Sequence, residues 1–236
     1  MNPFLTIWFE PRATIRSIVD SNPKRLVLVL AVLAGTLGLL MGALQLVQQL
    51  GTVANRILPW AGPAGALLGV IGLYFSGAIY TWVGKWFGGD ATSEETRAAI
   101  AWSKVPALVL YAIGLVLFFA FPMPAGRHAA FSMPFIIFKI ISAILGVWGF
   151  VIICKALGEV NHFSAWSGFG TIFMSGLIVS VPVFVLGLMA AIAIPNLVHA
   201  RAGALSRRPA MVQDFQKIAA QLPQPPRISQ GTRATQ

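Results

Sequence analysis

Charge is what this chain of 236 residues has least of. Asp, Glu, Lys and Arg make up only 10% of it, and the carboxylates number seven. Globular domains carry roughly a quarter charged residues, so too little polar surface exists to dissolve a composition that is 57% hydrophobic. A soluble fold is excluded. Cysteine is almost missing as well. Cys154 stands alone, which rules out an intrachain disulfide and any C-x-x-C pair. The three histidines, His128, His162 and His199, are scattered and form no H-E-x-x-H, so zinc chemistry has no visible ligands. No carboxylate falls in the middle of an apolar run, which argues against an aspartyl intramembrane protease or a carboxylate proton relay. Walker and dinucleotide fingerprints are absent too.

What the chain has instead is length without charge. Five apolar runs lie at 26–46, 61–84, 105–121, 134–154 and 170–195. A hydrocarbon core about 30 Å thick is crossed by roughly 20 such residues in a helix. The expected fold is all-α, an integral membrane bundle of about five transmembrane helices with short interfacial helices. It divides into a basic, partly amphipathic flank (1–25), a membrane domain (26–195) and a basic, Pro/Gln-rich tail (196–236) expected to be disordered.

Glycine marks where these helices should pack. Gly35, Gly38 and Gly42 line the first span, and Gly65, Gly69 and Gly72 the second. Small residues at such intervals let backbones approach inside lipid. Gly146 and Gly149 give the fourth span a similar face. Pro106 should bend the chain into the third span, and Pro182 should kink the fifth. Lys139, near the start of the fourth span, is expected to snorkel to the interface.

The polar character gathers in two loops. After Trp82, Lys85 and Trp86 comes Gly88-Gly89-Asp90-Ala91-Thr92-Ser93, then Glu94, Glu95 and Arg97. Thr92 and Glu95 have capping-box spacing, and a short interfacial helix should follow through Ala98–Trp102. The second loop carries Glu159 and His162 in an E-x-x-H pair. Di-iron bundles use that spacing but need further carboxylates on facing helices, and none is present. In the first flank, Ile15, Ile18 and Val19 share a face opposite Arg12 and Arg16. That pattern suits a helix on the membrane surface and equally an ordinary basic flank.

The +10 charge lies beside the spans, where it sets orientation and attracts anionic headgroups, so nucleic acid is not an expected partner. Lys and Arg counts place the N-terminus and the 85–104 loop in the cytoplasm. Five crossings then send the tail outside despite its six bases, a conflict that charge counting leaves open.

The 88–93 loop with its following helix and Pro106, together with Leu157-Gly158-Glu159-Val160-Asn161-His162-Phe163-Ser164, resembles the Yip1 domain over roughly residues 1–195. The resemblance implies a small membrane protein without a catalytic site. Eukaryotic members are tied to vesicle trafficking and prenyl-anchored Rab GTPases, and bacterial members are mostly of undefined function. The long soluble N-terminal region of many eukaryotic relatives is not seen here, which argues against a GTPase-binding role, and the short flanks and Ala/Gly/Arg-rich style lead to the expectation of a bacterial inner-membrane member. A second echo, Gly187–Asn196 with Ala200-Arg201-Ala202, resembles a type IV pilin segment. It has no leader just upstream and no glutamate at its start, and is read as coincidence.

The expected function is non-enzymatic, without cofactor or metal. It is the binding of a lipid, a lipidated partner or another membrane protein, with homo-oligomerisation a further possibility. Gly88, Gly89, Asp90, Glu94, Glu95, Arg97, Glu159 and His162 are the candidate interaction residues. The packing residues are Gly38, Gly42, Gly65, Gly69, Gly146 and Gly149. The alternative function is a small-solute transporter or permeation accessory.

Overall fold

The structure is a computed structural model that describes residues 2–50, 56–120 and 133–221. The loop with Pro122, Pro124, Arg127 and His128 and the tail from Leu222 lie outside the described residues. Among the described residues eight helices follow in order: α1 (Pro3–Thr6), α2 (Pro11–Ser21), α3 (Val27–Leu50), α4 (Leu58–Trp86), α5 (Ser93–Trp102), α6 (Val105–Ala120), α7 (Met133–Val160) and α8 (Ala165–Gln221). Among the described residues there is no strand. Five stretches of the described residues are long and apolar enough to cross a membrane: Val27–Val47, Leu58–Trp86, Ser93–Ala120, Ile136–Val160 and Ala165–Leu197. The chain is an integral membrane protein.

Two compact units divide it, Met1–Ile178 and Val179–Gln236. In the second, α8 is helical through Pro182 and on to Gln221, so much of the 196–236 tail is helix where disorder was expected. Ala, Arg and Gln are frequent there, and each favours helix over coil.

The first unit packs its core toward one end of the bundle. Trp102 is fully buried, surrounded in the same cluster by Ile7, Ile15, Ile18, Leu30, Ile152 and Leu157. α5 is therefore enclosed by protein: Thr96 and Ala98–Trp102 are all buried. α2 packs against α5 and α7, so Ile15 and Ile18 face protein and not a lipid surface. The N-terminal segment runs alongside α7, where the Trp148 indole donates to the Trp8 carbonyl at 3.2 Å. Away from this end the side chains turn outward, as with Ile137, Ile144 and Val147 of α7, which suits helices solvated by acyl chains.

α3 and α4 make the closest helix contact, at Ala31 and Gly35 against Gly65 and Gly69. A Cβ on Gly35 would strike the Gly65 carbonyl oxygen and the Gly69 Cα, and one on Gly69 would strike the Ala31 carbonyl. Gly42 has nothing within 4 Å of such an atom. It lies seven residues beyond Gly35, about 10 Å along the axis, where the crossing has already opened. Gly38 makes only ordinary contact with the Tyr111 ring, 3.5 Å from where its Cβ would sit. Gly146 and Gly149 also face open space. The close crossing thus uses Gly35, Gly65 and Gly69, in place of the Gly38–Gly42 pair.

The turn Ser103–Lys104 separates α5 from α6, and Pro106 is buried in the first turn of α6. Proline costs nothing there, because an N–H in that turn has no helical acceptor.

Candidate functional site

α4 and α7 end in the same way. At α4, Gly89 N–H donates to the Gly84 carbonyl (3.0 Å) and Gly88 N–H to Lys85 (3.1 Å). Gly88 has φ +80°. At α7, Phe163 N–H donates to the Gly158 carbonyl (3.0 Å) and His162 N–H to Glu159 (3.3 Å), and His162 has φ +55°. Both are Schellman closures, in which one left-handed residue lets the chain turn back and satisfy carbonyls orphaned at the helix end. Glycine takes that conformation freely, whereas histidine takes it at a steric cost.

The two ends meet through Asn161. Its side chain is buried, the Nδ2 donates to the Leu157 carbonyl at 3.0 Å, and its Oδ1 lies over Gly84 and Gly89. A Cβ at Gly89 would collide with that amide. The Gly88-Gly89 pair thus serves two needs: the first glycine supplies the turn, and the second admits the neighbouring side chain.

Arginines from α2 close the other side. Arg16 Nε donates to Glu159 Oε1 at 3.0 Å, its Nη2 lies 2.9 Å from the same oxygen, and Arg12 Nη1 is 3.8 Å from Oε2. Arg16 Nη2 is also 3.2 Å from His162 Nδ1. A guanidinium only donates, so Nδ1 is the acceptor there. The E-x-x-H pair therefore receives an arginine clamp.

Other candidate residues are engaged locally. Glu95 accepts from the Thr92 N–H (2.7 Å) while Thr92 Oγ1 accepts from Glu95 N–H (3.3 Å), closing the capping box that starts α5. Glu94 pairs with Lys24 at 3.2 Å. The Arg97 guanidinium sits 4.7 Å above the Tyr74 ring, with its stem covering Gly77. Asp90 is exposed and meets no partner among the described residues. No group of three or more His, Cys, Asp and Glu able to hold a metal occurs among them.

The loops 85–104 and 155–164 and the N-terminal helices thus lie together at one end of the first unit. The Yip1 domain model matches residues 5–192. The chain belongs to the Yip1 domain family. The match covers most of the 236 residues and takes in the N-terminal flank as well as the five spans. No curated protein matches the chain. No solved structure matches it either.

Sequence reasoning chose the two loops of this Yip1 domain but missed what joins them. Arg12 and Arg16 stood out only as a helix face, since 143 residues separate Arg16 from Glu159. Asn161 gave a faint signal, as an amide just past a long apolar run and beside a residue that must turn.

Proposed function

We propose that this Yip1 domain protein is a non-enzymatic docking platform for another membrane protein or a lipid-anchored one. The observation that carries the reading is the fastened end itself. Two helix termini and the N-terminal helices are locked by Asn161, Arg12 and Arg16, while Asp90 and the Gly88 turn remain exposed beside them. A rigid polar surface loses little conformational entropy when a partner binds. The long apolar spans hold that surface at the membrane, where a partner's own anchor raises the local concentration.

A photo-crosslinking residue placed at Asp90 in native membranes should capture discrete protein adducts. The same probe at Ile57, exposed at the opposite end of α4, should not. Adducts from Ile57 with none from Asp90 would reject the platform. Solute flux through liposomes holding the pure protein would favour the permeation alternative.

A further inference from the structure

Lys104, in the turn between α5 and α6, lines two cavities. One, about 310 Å³, also touches Gly35, Gly69 and Tyr111; the other, about 320 Å³, touches Leu145, Gly146, Gly149 and Phe150. Tyr80 and Ile153 border both. Each volume is at the small end of ligand sites, which start near roughly 300 Å³. The walls are mostly apolar. No hydrogen bond or ion pair among the described residues reaches the Lys104 ammonium or the Tyr80 hydroxyl, because the ion pairs use Arg12, Arg16 and Lys24. Lys104 is exposed on one side, and where its ammonium meets apolar walls in a membrane protein a counter-charge is favoured.

The second cavity also has space reserved for it. A Cβ at Gly146 or Gly149 would touch nothing within 4 Å, so these glycines leave open space along α7. Its polar corner has a suitable depth. Trp82 and Trp86 are exposed at the end of α4, the level where indoles meet headgroups. Tyr80 lies six residues inboard of Trp86, about 9 Å of helix axis, and a lysine stem spans much of such a distance.

We propose that Lys104 and Tyr80 hold the phosphate of an anionic bilayer phospholipid, with one acyl chain in the groove past Gly146 and Gly149. The site shares no residue with the Asn161 and arginine fastenings or with Asp90, so either can fail alone. Charge complementarity selects the anion: one ammonium, no protein carboxylate, and a hydroxyl able to donate to the same oxygen.

The test is native mass spectrometry of the full chain in detergent, with phosphatidylglycerol or phosphatidylcholine of identical acyl chains added. The anionic phosphatidylglycerol should be retained about fivefold better, as one headgroup-level lysine warrants. Lys104→Ala should remove that preference and Lys104→Arg should keep it. Lys85→Ala, on an exposed side chain outside both cavities, should leave it unchanged. Gly149→Phe should lower retention of both lipids by filling the groove. Equal retention of the two lipids by the parent protein overturns the proposal, as does an undiminished preference in Lys104→Ala. Full retention in Gly149→Phe overturns the acyl seat. Should Lys104→Ala fail to fold, Gly149→Phe decides, since it keeps the charge and enters open space.

Discussion

Gly35→Ala would put a methyl group where the second span's backbone already lies. The new carbon would sit 2.6 Å from the Gly69 Cα and against the Gly65 carbonyl oxygen. Carbons in contact prefer about 3.5–4.0 Å, so α3 and α4 must part by roughly 1 Å. Neither obstacle is a side chain that can rotate away. Overpacking of this kind costs about 1–3 kcal/mol, while alanine returns at most about 1 kcal/mol of helix propensity over glycine. With the full propensity gain subtracted, a net loss of about 0–2 kcal/mol remains, and a gap of about 1–3 kcal/mol from a glycine that alanine can replace freely. Gly42→Ala is the internal control. It lies on the same helix with nothing within 4 Å, so the propensity gain stands alone and the change should be neutral to stabilising by up to about 1 kcal/mol. Unfolding both variants by SDS titration in mixed micelles, followed by circular dichroism, compares them directly. If Gly35→Ala is as stable as Gly42→Ala, the close crossing is refuted.

Four further outcomes follow from the fastened end. Gly88→Ala should destabilise by about 1–2 kcal/mol in the same titration despite open space around it, because the penalty lies in its positive φ. At His162, also at positive φ, valine should destabilise while asparagine is tolerated, since β-branching strains this conformation and a short amide does not. Asn161→Ala removes a buried hydrogen bond and leaves Gly84 and Gly89 uncovered; a loss of about 1–3 kcal/mol should accompany faster hydrogen exchange in both loops. Glu159→Gln keeps the shape but drops the ion pairs with half-exposed arginines. Its cost should stay below about 1 kcal/mol, read chiefly as easier proteolysis between Asn22 and Arg25.

The spans were legible because lipid imposes one requirement, a long uncharged helix, and all five runs show it. The capping box was legible because its partners lie three residues apart. Packing was less so. Gly38 and Gly42 match the spacing of a close crossing as well as Gly65 and Gly69 do, yet where two helices diverge depends on their crossing geometry, which spacing does not encode. Gly146 and Gly149 looked like packing residues for the same reason and instead line a cavity. The amphipathic face of α2 was visible, but its apolar side fits protein or lipid equally well until its neighbours are placed. The arginine clamp and the Asn161 bridge depend on residues far apart in the chain and could be seen only once the helices were assembled.

Because Ile15 and Ile18 are roofed by α5 and α7, α2 has no complete seat until Glu159 has been synthesised, 143 residues after Arg16. At about 5–20 residues per second, that wait is on the order of 10 s. During it the N-terminus must be tolerated as an unpartnered amphipathic segment beside the translocating spans. α2 is therefore made well before the element that locks it in place, and a ribosome stalled before α7 would leave it open to proteases.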